Sequence, residues 1–356
     1  MPGIHQFVAG FARGDAITNE ALALRDIFRR WGCRSEIFCE TRRILPELRR
    51  EARNAVDYAA HSEEGDIAIL HLSIGSDVND LFASCSARKA ILYHNITPPE
   101  YFRLIQKETS RSLERGRRQM RELAGRATVN LAVSAFNARE LTDAGYANVA
   151  VLPLVLDLDK LRQGRDAGIA ARFNDGRTNV LCVGRCAPNK RLEDALLCFA
   201  AFQKNVDGNA RFIHVGSYAG TEPYYHLLLT MARKLRLQNI HFAGAVPQAQ
   251  LNSFYACSRV FLCTSEHEGF CIPLLESMVH DVPVLARAAA AVPETLAGAG
   301  VLFDAPRPEP VAEMIGLLAH DETLRAGVLR RQRSRLRDYE ARDLESELKG
   351  HLRPML

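Results

Sequence analysis

Short apolar runs alternate with amphipathic stretches along the second half of the chain. The apolar runs occupy residues 178–183, 210–215, 240–242, 260–263, 282–286 and 301–303. Stretches of helical periodicity follow the first four runs, at 192–205, 224–235, 248–257 and 273–280. Apolar runs of strand length, each followed by a helix-length amphipathic stretch, are typical of βα units that build a parallel sheet. The pattern therefore predicts an α/β domain.

The first half shows the same alternation less regularly. Apolar runs lie at 67–72, 90–93 and 129–133, and a further apolar run that contains Pro153 begins at 149. The polar, glycine-containing segment that follows is typical of a linker. We therefore predict four parts, listed in chain order: a first domain at 1–160, a linker at 161–177, a second domain at 178–335 and a C-terminal segment at 336–356.

Length and composition agree with two globular domains. The 356 residues are 47% hydrophobic and 25% charged, and the net charge is only +4. The first fourteen residues, Met1 to Gly14, lack the basic stretch and apolar core of a secretory signal, so we expect a cytosolic protein. The nine cysteines form no CxxC pair, so we interpret them as core residues in a reducing compartment.

Two cations follow the apolar run at 178–183. The chain reads Gly184-Arg185 and reaches Lys190 just before the next amphipathic stretch. An arginine binds two phosphate oxygens at once, a lysine supplies a point charge, and a helix start adds amide donors. The loop thus suits a diphosphate, although two solvated loop cations would look the same in sequence.

Two carboxylates follow the apolar run at 260–263. The segment runs from Glu268 through Gly269, Phe270, Cys271 and Ile272 to Glu276. Glycine permits a close backbone approach, and carboxylates accept hydrogen bonds from sugar or ribose hydroxyls. The alternative is a charge at a helix start and a solvated helix residue.

Together with Val292-Pro293-Glu294-Thr295 and the run from Gly300 to Phe303, these two motifs resemble the family-4 retaining glycosyltransferases over about residues 178–304. The resemblance implies the GT-B fold: an α/β protein in which two Rossmann-like domains with parallel sheets face each other across a deep cleft. It also implies that the C-terminal helix returns to the N-terminal domain.

The resemblance also implies roles for individual residues. Arg185 and Lys190 correspond to the pair that holds the donor diphosphate, and Glu276 to the residue that binds the ribose. Glu268 and the backbone of residues 269–272 correspond to the group that holds sugar hydroxyls and phosphate. Val246 lies in the loop that faces the nucleobase. Cys271 stands where many relatives have glycine, which affects the local fit.

Two features of the first half are candidates for the rest of the site. Gly14 and Asp15 precede an amphipathic stretch and either approach a phosphate closely or form a plain turn and helix cap. His94 follows the apolar run at 90–93 and resembles the family's cleft histidine. It would donate to the reacting sugar or steady the acceptor, and a purely structural histidine is the alternative.

A basic stripe follows His94. Arg103, Lys107, Arg111 and Arg115 recur at intervals of four residues. On one helix they would form a basic face, with Phe102, Ile105, Leu113, Met120 and Leu123 as an apolar side that lies on an anionic membrane. A solvated helix face with internal acidic partners is the alternative.

Other chemistries are disfavoured. Asp157-Leu158-Asp159 has the DxD spelling of metal-dependent transferases. Because Arg185 and Lys190 already neutralise a diphosphate, we expect neither a metal nor a cofactor. No GxGxxG motif of a nicotinamide enzyme follows a strand, and only the basic stripe suggests nucleic-acid binding, which we do not expect.

The resemblance favours a hexose transfer in bacterial surface polysaccharide or lipopolysaccharide assembly, on the cytoplasmic face of the inner membrane. The donor would be a nucleotide sugar, with mannose from GDP-mannose slightly favoured, and the acceptor a glycan or lipid-linked glycan. The alternative is a non-catalytic protein of the same fold that binds nucleotide sugar or glycan.

Overall fold

A computed structural model of the chain describes residues 2–12 and 14–356. The chain divides into two compact units. The N-terminal unit comprises the described residues up to Arg103, together with Lys107–Leu156 and Asp343–Leu356. The C-terminal unit comprises Leu104–Gln106 and Asp157–Arg342.

Each unit contains one sheet in which all paired strands are parallel. The N-terminal strands are β1 Ile4–Val8, β2 Ile37–Cys39, β3 Arg53–Asn54, β4 Ile67–Leu72, β5 Arg88–Tyr93, β6 Val129–Ala132 and β7 Val149–Val151. The C-terminal strands are β8 Asn179–Val183, β9 Arg211–Val215, β10 Ile240–Gly244, β11 Val260–Cys263, β12 Val284–Arg287 and β13 Val301–Phe303. Their spatial orders are 3-2-1-4-5-6-7 and 10-9-8-11-12-13. The predicted α/β class with two parallel sheets is confirmed.

Helices connect the strands. In the first half they are α1 Ala16–Arg30, α2 Tyr58–His61, α3 Asp77–Ser84, α4 Lys107–Glu122 and α5 Ala135–Asp143. In the second half they are α6 Leu158–Arg162, α7 Ala167–Phe173, α8 Leu192–Asn205, α9 Glu222–Lys234, α10 Gln248–Ala256, α11 Ile272–Val279, α12 Val292–Leu296, α13 Pro308–His320, α14 Glu322–Glu340 and α15 Leu344–Leu352. Single 3₁₀ turns occupy Thr41–Arg43, Pro46–Leu48, Ala55–Asp57, Pro99–Phe102, Pro188–Lys190 and Arg353–Met355.

The central strands of both sheets are apolar and buried. Every residue of β1, β4, β9 and β11 is buried, as expected for parallel strands covered by helices on both faces. In each sheet the chain order reverses between two adjacent strands, β1 and β4 in the first and β8 and β11 in the second. Ligands of such sheets bind outside the carboxyl ends of the strands at this switch point.

The C-terminal helix α15 packs on the N-terminal unit. The Trp31 Nε1–H, just after α1, donates to Glu345 Oε1 over 2.8 Å, and Lys349 Nζ lies 5.4 Å from the centre of the Trp31 ring. The preceding helix, α14, belongs to the C-terminal unit. The polar segment around 161–177, predicted as a linker, contains all of α7 and also belongs to that unit.

Two expectations about local structure change. Arg103 lies outside α4, because Pro98 and Pro99 favour a 3₁₀ turn and the helix begins only at Lys107. The four stripe cations therefore do not share one helix. The expected apolar membrane face is also wrong for most of its members, since Phe102, Leu113, Met120 and Leu123 are buried.

Candidate active site

The loop with the two cations and the loop with the carboxylates, both in the C-terminal unit, meet at the switch point between β8 and β11. The backbone N–H of Glu266 donates to the Asn189 carbonyl oxygen over 2.9 Å, and the Asn189 amide donates to the His267 carbonyl oxygen over 3.1 Å. The Thr264 hydroxyl donates to the carbonyl oxygens of Lys190 and Arg191, over 3.1 and 2.9 Å. These bonds fasten the loop after β8 to the loop after β11.

Lys190 and Glu268 form an ion pair. Lys190 Nζ lies 2.6 Å from Glu268 Oε1, and only 22% and 11% of the two side chains are exposed. Burial by itself lowers the pKa of Lys190, but the Glu268 carboxylate outweighs it and raises that pKa above its usual value. The lysine is therefore a fixed, fully charged cation beside a carboxylate.

Arg185 is exposed and lies against the loop after β9. Its Nη2 donates to the Ala219 carbonyl oxygen over 3.2 Å. One such bond occupies one of the five N–H donors of a guanidinium. Arg185 can therefore bind an anion at the carboxyl ends of β8 and β9.

Two glycines let these loops approach each other closely. Gly184 and Gly216, which follow β8 and β9, have φ of 138° and 155°. A Cβ on Gly216 would lie only 1.8 Å from the Gly184 carbonyl oxygen, so no other residue fits there. Sequence reasoning missed Gly216, although a glycine directly after a second apolar strand was the available signal.

Glu276 lies on α11 and is almost completely buried. The Tyr255 hydroxyl donates to its Oε2 over 2.8 Å. Burial raises the pKa of Glu276 to about 7, even though the Tyr255 bond acts in the opposite direction. The carboxyl group thus changes its charge close to neutral pH.

Cys271 is the residue just before α11 and has a left-handed backbone conformation, with φ of 70°. Glycine adopts this conformation without strain, which gives a physical reason for glycine in relatives at this position. Its thiol lies 4.0 Å from that of Cys263. Cys263, Glu268 and Cys271 could hold a metal ion, since one ligand atom from each lies within 4.8 Å of the others. Glu268, however, already pairs with Lys190.

The remaining predicted donor residues surround this loop. The Phe270 side chain is buried, and its carbonyl oxygen accepts from the Thr295 hydroxyl. Ile272 is the first residue of α11, with Gly269 three positions before it. Val246 follows β10, whose last residue, Gly244, has a positive φ of 70°.

In the N-terminal unit, Asp15 caps α1. Its Oδ2 accepts from the Thr18 backbone N–H over 2.8 Å and from the Thr18 hydroxyl over 2.9 Å. Gly14 precedes it with φ of 74°, in the turn that enters the helix. The structure thus shows the capping role of Asp15, and the phosphate-binding role of Gly14 and Asp15 stays a prediction.

His94 is one end of a hydrogen-bonded chain of side chains. Its Nε2 lies 2.9 Å from His71 Nδ1, and His71 Nε2 lies 2.8 Å from Gln6 Oε1. The two imidazole rings stack with centroids 5.0 Å apart. Sequence reasoning missed Gln6 and His71. Their signal was the presence of polar residues in short, mostly apolar strands.

The backbone next to His94 is held in a rare conformation. Asn95 has φ of 96°, in the region that favours glycine. Its amide donates to Asn137 Oδ1 over 2.9 Å and to Glu140 Oε2 over 3.0 Å. The Tyr93 hydroxyl also donates to Glu140 Oε2, over 3.0 Å. This network stabilises the turn that follows β5.

The remaining charged candidates have structural partners. Arg115 Nη2 lies 2.6 Å from carboxylate oxygens of Asp77 and Asp80, which leaves Arg103, Lys107 and Arg111 as the exposed cations of the predicted stripe. Asp157 caps α6 by accepting from the Lys160 N–H, and Asp159 pairs with Arg162.

Among residues 2–12 and 14–356, no helix has both the length and the apolar character to cross a membrane.

Most of the C-terminal unit matches a known family. Residues 169–337 match the family described as glycosyl transferases group 1. Over 125 residues the chain is 33% identical to O-antigen chain mannosyltransferase B of Escherichia coli. This match covers 35% of this chain and 32% of that protein. Over 188 residues it is 27% identical to a GDP-mannose-dependent alpha-(1-6)-phosphatidylinositol monomannoside mannosyltransferase of Mycobacterium tuberculosis, covering 49% and 48%. The matched part thus spans less than half of each relative.

Solved structures of similar fold extend over the whole chain. Anabaena Alr3699/HepE, solved in complex with UDP and glucose, superposes with a TM-score of 0.74 at 17% identity, covering 99% of this chain and 100% of that one. WaaG, a glycosyltransferase involved in lipopolysaccharide biosynthesis, superposes with a TM-score of 0.68 at 14% identity and 98% coverage of both chains. At these identities the likeness concerns the fold.

Proposed function

We propose that the chain transfers a sugar from a nucleotide donor to an acceptor, because residues 169–337 match the group 1 glycosyl transferases. The C-terminal unit binds the donor in this proposal, and the N-terminal unit binds the acceptor. The observation that carries the proposal is the meeting of Lys190 and Glu268 at the switch point between β8 and β11. A phosphate-binding cation and a hydroxyl-binding carboxylate there match the two ends of a sugar diphosphate.

The cations stabilise the leaving group. When the bond between the sugar and the diphosphate breaks, negative charge accumulates on the phosphate oxygens. Arg185 and Lys190 offer fixed positive charge to that diphosphate, which lowers the barrier without a metal ion. Lys190 is kept charged and oriented by Glu268 before the donor arrives.

Glu268 binds sugar hydroxyls and is not a nucleophile in this proposal. A carboxylate whose oxygen accepts a bond from Lys190 is a weakened nucleophile but still has lone pairs for hydroxyl groups. The acceptor hydroxyl then attacks on the face that the diphosphate leaves, and a donor phosphate oxygen takes its proton. The configuration at the anomeric carbon is retained.

The proposed donor is GDP-mannose, because the named relatives are mannosyltransferases and one of them is described as GDP-mannose-dependent. The proposed acceptor is a glycan or lipid-linked glycan of bacterial surface polysaccharide. Arg103, Lys107 and Arg111 would attract the anionic cytoplasmic face of a membrane that carries such an acceptor.

Calorimetric titration tests the donor site. Wild-type protein is titrated in EDTA with UDP, GDP, ADP and dTDP, and the measurement is repeated on Arg185→Ala, on Lys190→Ala and on Lys204→Ala, which removes an exposed cation of α8 as the matched control. We expect one nucleotide, GDP, to bind with micromolar Kd. Each site variant should weaken it by about tenfold or more, since charged hydrogen bonds contribute roughly 1.5–3 kcal/mol each.

The outcomes separate the candidate functions. Binding that survives Arg185→Ala and Lys190→Ala as well as it survives Lys204→Ala would contradict the donor site. Nucleotide binding at the predicted site without sugar transfer to any glycan acceptor would instead favour the non-catalytic binding protein.

A further inference from the structure

Three polar side chains form a line through the N-terminal sheet, from β1 through β4 to the residue after β5. We call Gln6, His71 and His94 the histidine relay. Gln6 and His71 are completely buried, whereas His94 is half-buried. The two contacts of the relay, 2.8 Å and 2.9 Å, are both within hydrogen-bond distance.

The relay has a direction, which Gln6 sets. Gln6 Nε2 donates to the Ala21 carbonyl oxygen over 2.9 Å, so its Oε1 is the atom that faces His71. An amide oxygen only accepts hydrogen bonds. His71 must therefore carry a hydrogen on Nε2 and donate it to Gln6.

The position of the hydrogen on the His94 ring follows in the same way. Burial lowers the pKa of His71 to about 3, so the ring is neutral at pH 7 and its Nδ1 is an acceptor. His94 Nε2, which faces that acceptor, must carry a hydrogen and donate it. Burial, followed by the nearby His71, lowers the pKa of His94 well below its usual value, so His94 is also neutral and its Nδ1 carries no hydrogen.

We propose that Gln6 and His71 are positioning residues that hold His94 in the Nε2–H tautomer, so that His94 Nδ1 accepts a hydrogen bond from a hydroxyl group of a sugar substrate. This inference rests on the proposed glycosyltransferase function. It decides between the roles that the sequence left open for His94, because a ring nitrogen without a hydrogen cannot donate to the reacting sugar.

The turn after β5 supports this assignment. The His94 backbone N–H donates to the Leu72 carbonyl oxygen over 2.9 Å, and the next residue, Asn95, is locked in a positive-φ conformation by Asn137 and Glu140. Strained backbone of this kind persists where the surroundings enforce it, often at functional sites. Ring and backbone of His94 are thus both oriented by buried polar groups.

Side-chain NMR of ¹⁵N-histidine-labelled protein tests the inference directly. The His94 and His71 signals are assigned by their loss in His94→Gln and His71→Gln. We expect both rings of the wild type to be neutral Nε2–H tautomers from pH 6 to pH 8. A neutral His94 that carries its hydrogen on Nδ1, or a doubly protonated His94 at pH 7, would overturn the inference.

Gln6→Glu distinguishes a positioning role from a merely structural one, because only a positioning role predicts that the His94 tautomer changes. A carboxylate at this position still accepts from His71 Nε2 but favours a protonated His71, whose Nδ1–H then donates to His94 Nε2. His94 must then carry its hydrogen on Nδ1. We expect the NMR tautomer to switch and kcat to fall by roughly tenfold or more, with the Kd of the nucleotide unchanged.

Gln6→Met is the second variant in case a buried carboxylate prevents folding. Its side chain has a similar size, but a thioether sulfur accepts a hydrogen bond only weakly, so we expect a mixture of His94 tautomers and a smaller fall in kcat. If folded Gln6→Met protein shows only the Nε2–H tautomer of His94 and an unchanged kcat, the positioning role is contradicted.

Kinetics of His94→Ala distinguish the two sources of the hydroxyl. A change in the slow hydrolysis of the nucleotide sugar without acceptor would assign the hydroxyl to the transferred sugar. A higher KM for the acceptor alone would assign it to the acceptor, and no change in either would overturn the inference. If the wild type transfers no sugar at all, the proposed function fails, while the NMR result still decides the tautomer.

Discussion

At the scale of single residues, the candidate donor site contains an ion pair that forms before any ligand binds. Lys190 and Glu268 are 78 positions apart in sequence and in contact in the structure. Each predicted residue could be selected from its motif, but their contact could not, because it depends on β8 and β11 being neighbours at the switch point. The contact between Gln6 and His71 could not be deduced either, because it depends on β1 and β4 being neighbours.

Glu276 predicts a pH dependence of nucleotide binding. Its pKa is raised to about 7, and an ionised carboxylate accepts bonds from both ribose hydroxyls, whereas a protonated one accepts less well. Binding should therefore strengthen as the pH rises from 6 to 8. The measurement is the Kd of the nucleoside diphosphate at both pH values for wild type and for Glu276→Gln, which cannot titrate.

The variant also serves as the control for phosphate ionisation, which affects both proteins alike. We expect the Kd of Glu276→Gln divided by the Kd of the wild type to grow several-fold from pH 6 to pH 8, and by at most about tenfold per pH unit. An identical pH dependence in both proteins would exclude a titrating Glu276 from the ribose site.

At the scale of elements, strands and helices of the second half followed from periodicity. Helix α8 has the predicted bounds, and its buried apolar residues recur at helical spacing. Helix α10 ends one residue earlier than predicted. Helix α4 shows the limit. Its cations and apolar residues suggested a membrane-binding helix, but the apolar side packs inside the N-terminal unit, and packing partners cannot be deduced from periodicity.

Helix α1 carries a buried carboxyl group that predicts how stability changes with pH. Glu20 Oε2 accepts from the Val155 N–H over 2.8 Å, and burial raises the pKa of Glu20 from 4.5 to about 8. A carboxyl group whose pKa is raised in the folded state stabilises that state below its unfolded pKa. It loses this contribution as the pH rises towards the folded pKa.

Glu20→Gln removes the titration and keeps the shape. Between pH 6 and pH 9 the wild type should lose roughly 2–3 kcal/mol of stability relative to the variant, since each pKa unit corresponds to about 1.4 kcal/mol. Urea unfolding at both pH values measures this difference, with the exposed Glu47→Gln as control. A constant difference across this pH range would show that Glu20 is ionised in the folded protein.

At the scale of the whole molecule, two sheets with the same reversal of strand order each place their candidate residues at carboxyl ends. Arg185, Lys190 and Glu268 follow β8 and β11, and Gly14, Asp15 and His94 follow β1 and β5. Alternating βα units in the sequence predicted two parallel sheets. The positions of the switch points required the strand order, which periodicity does not contain.

The proposed reaction is metal-free sugar transfer with retention of configuration. We would follow the reaction of GDP-mannose with a mannose-terminated glycan acceptor by ¹H NMR in EDTA, with UDP-glucose as a second donor and Lys190→Ala as the impaired variant. We expect release of nucleoside diphosphate and a first-formed product with the anomeric configuration of the donor. We also expect kcat to fall by on the order of 10²-fold in Lys190→Ala. An inverted product, or turnover only after Mg²⁺ is added, would contradict the proposed reaction.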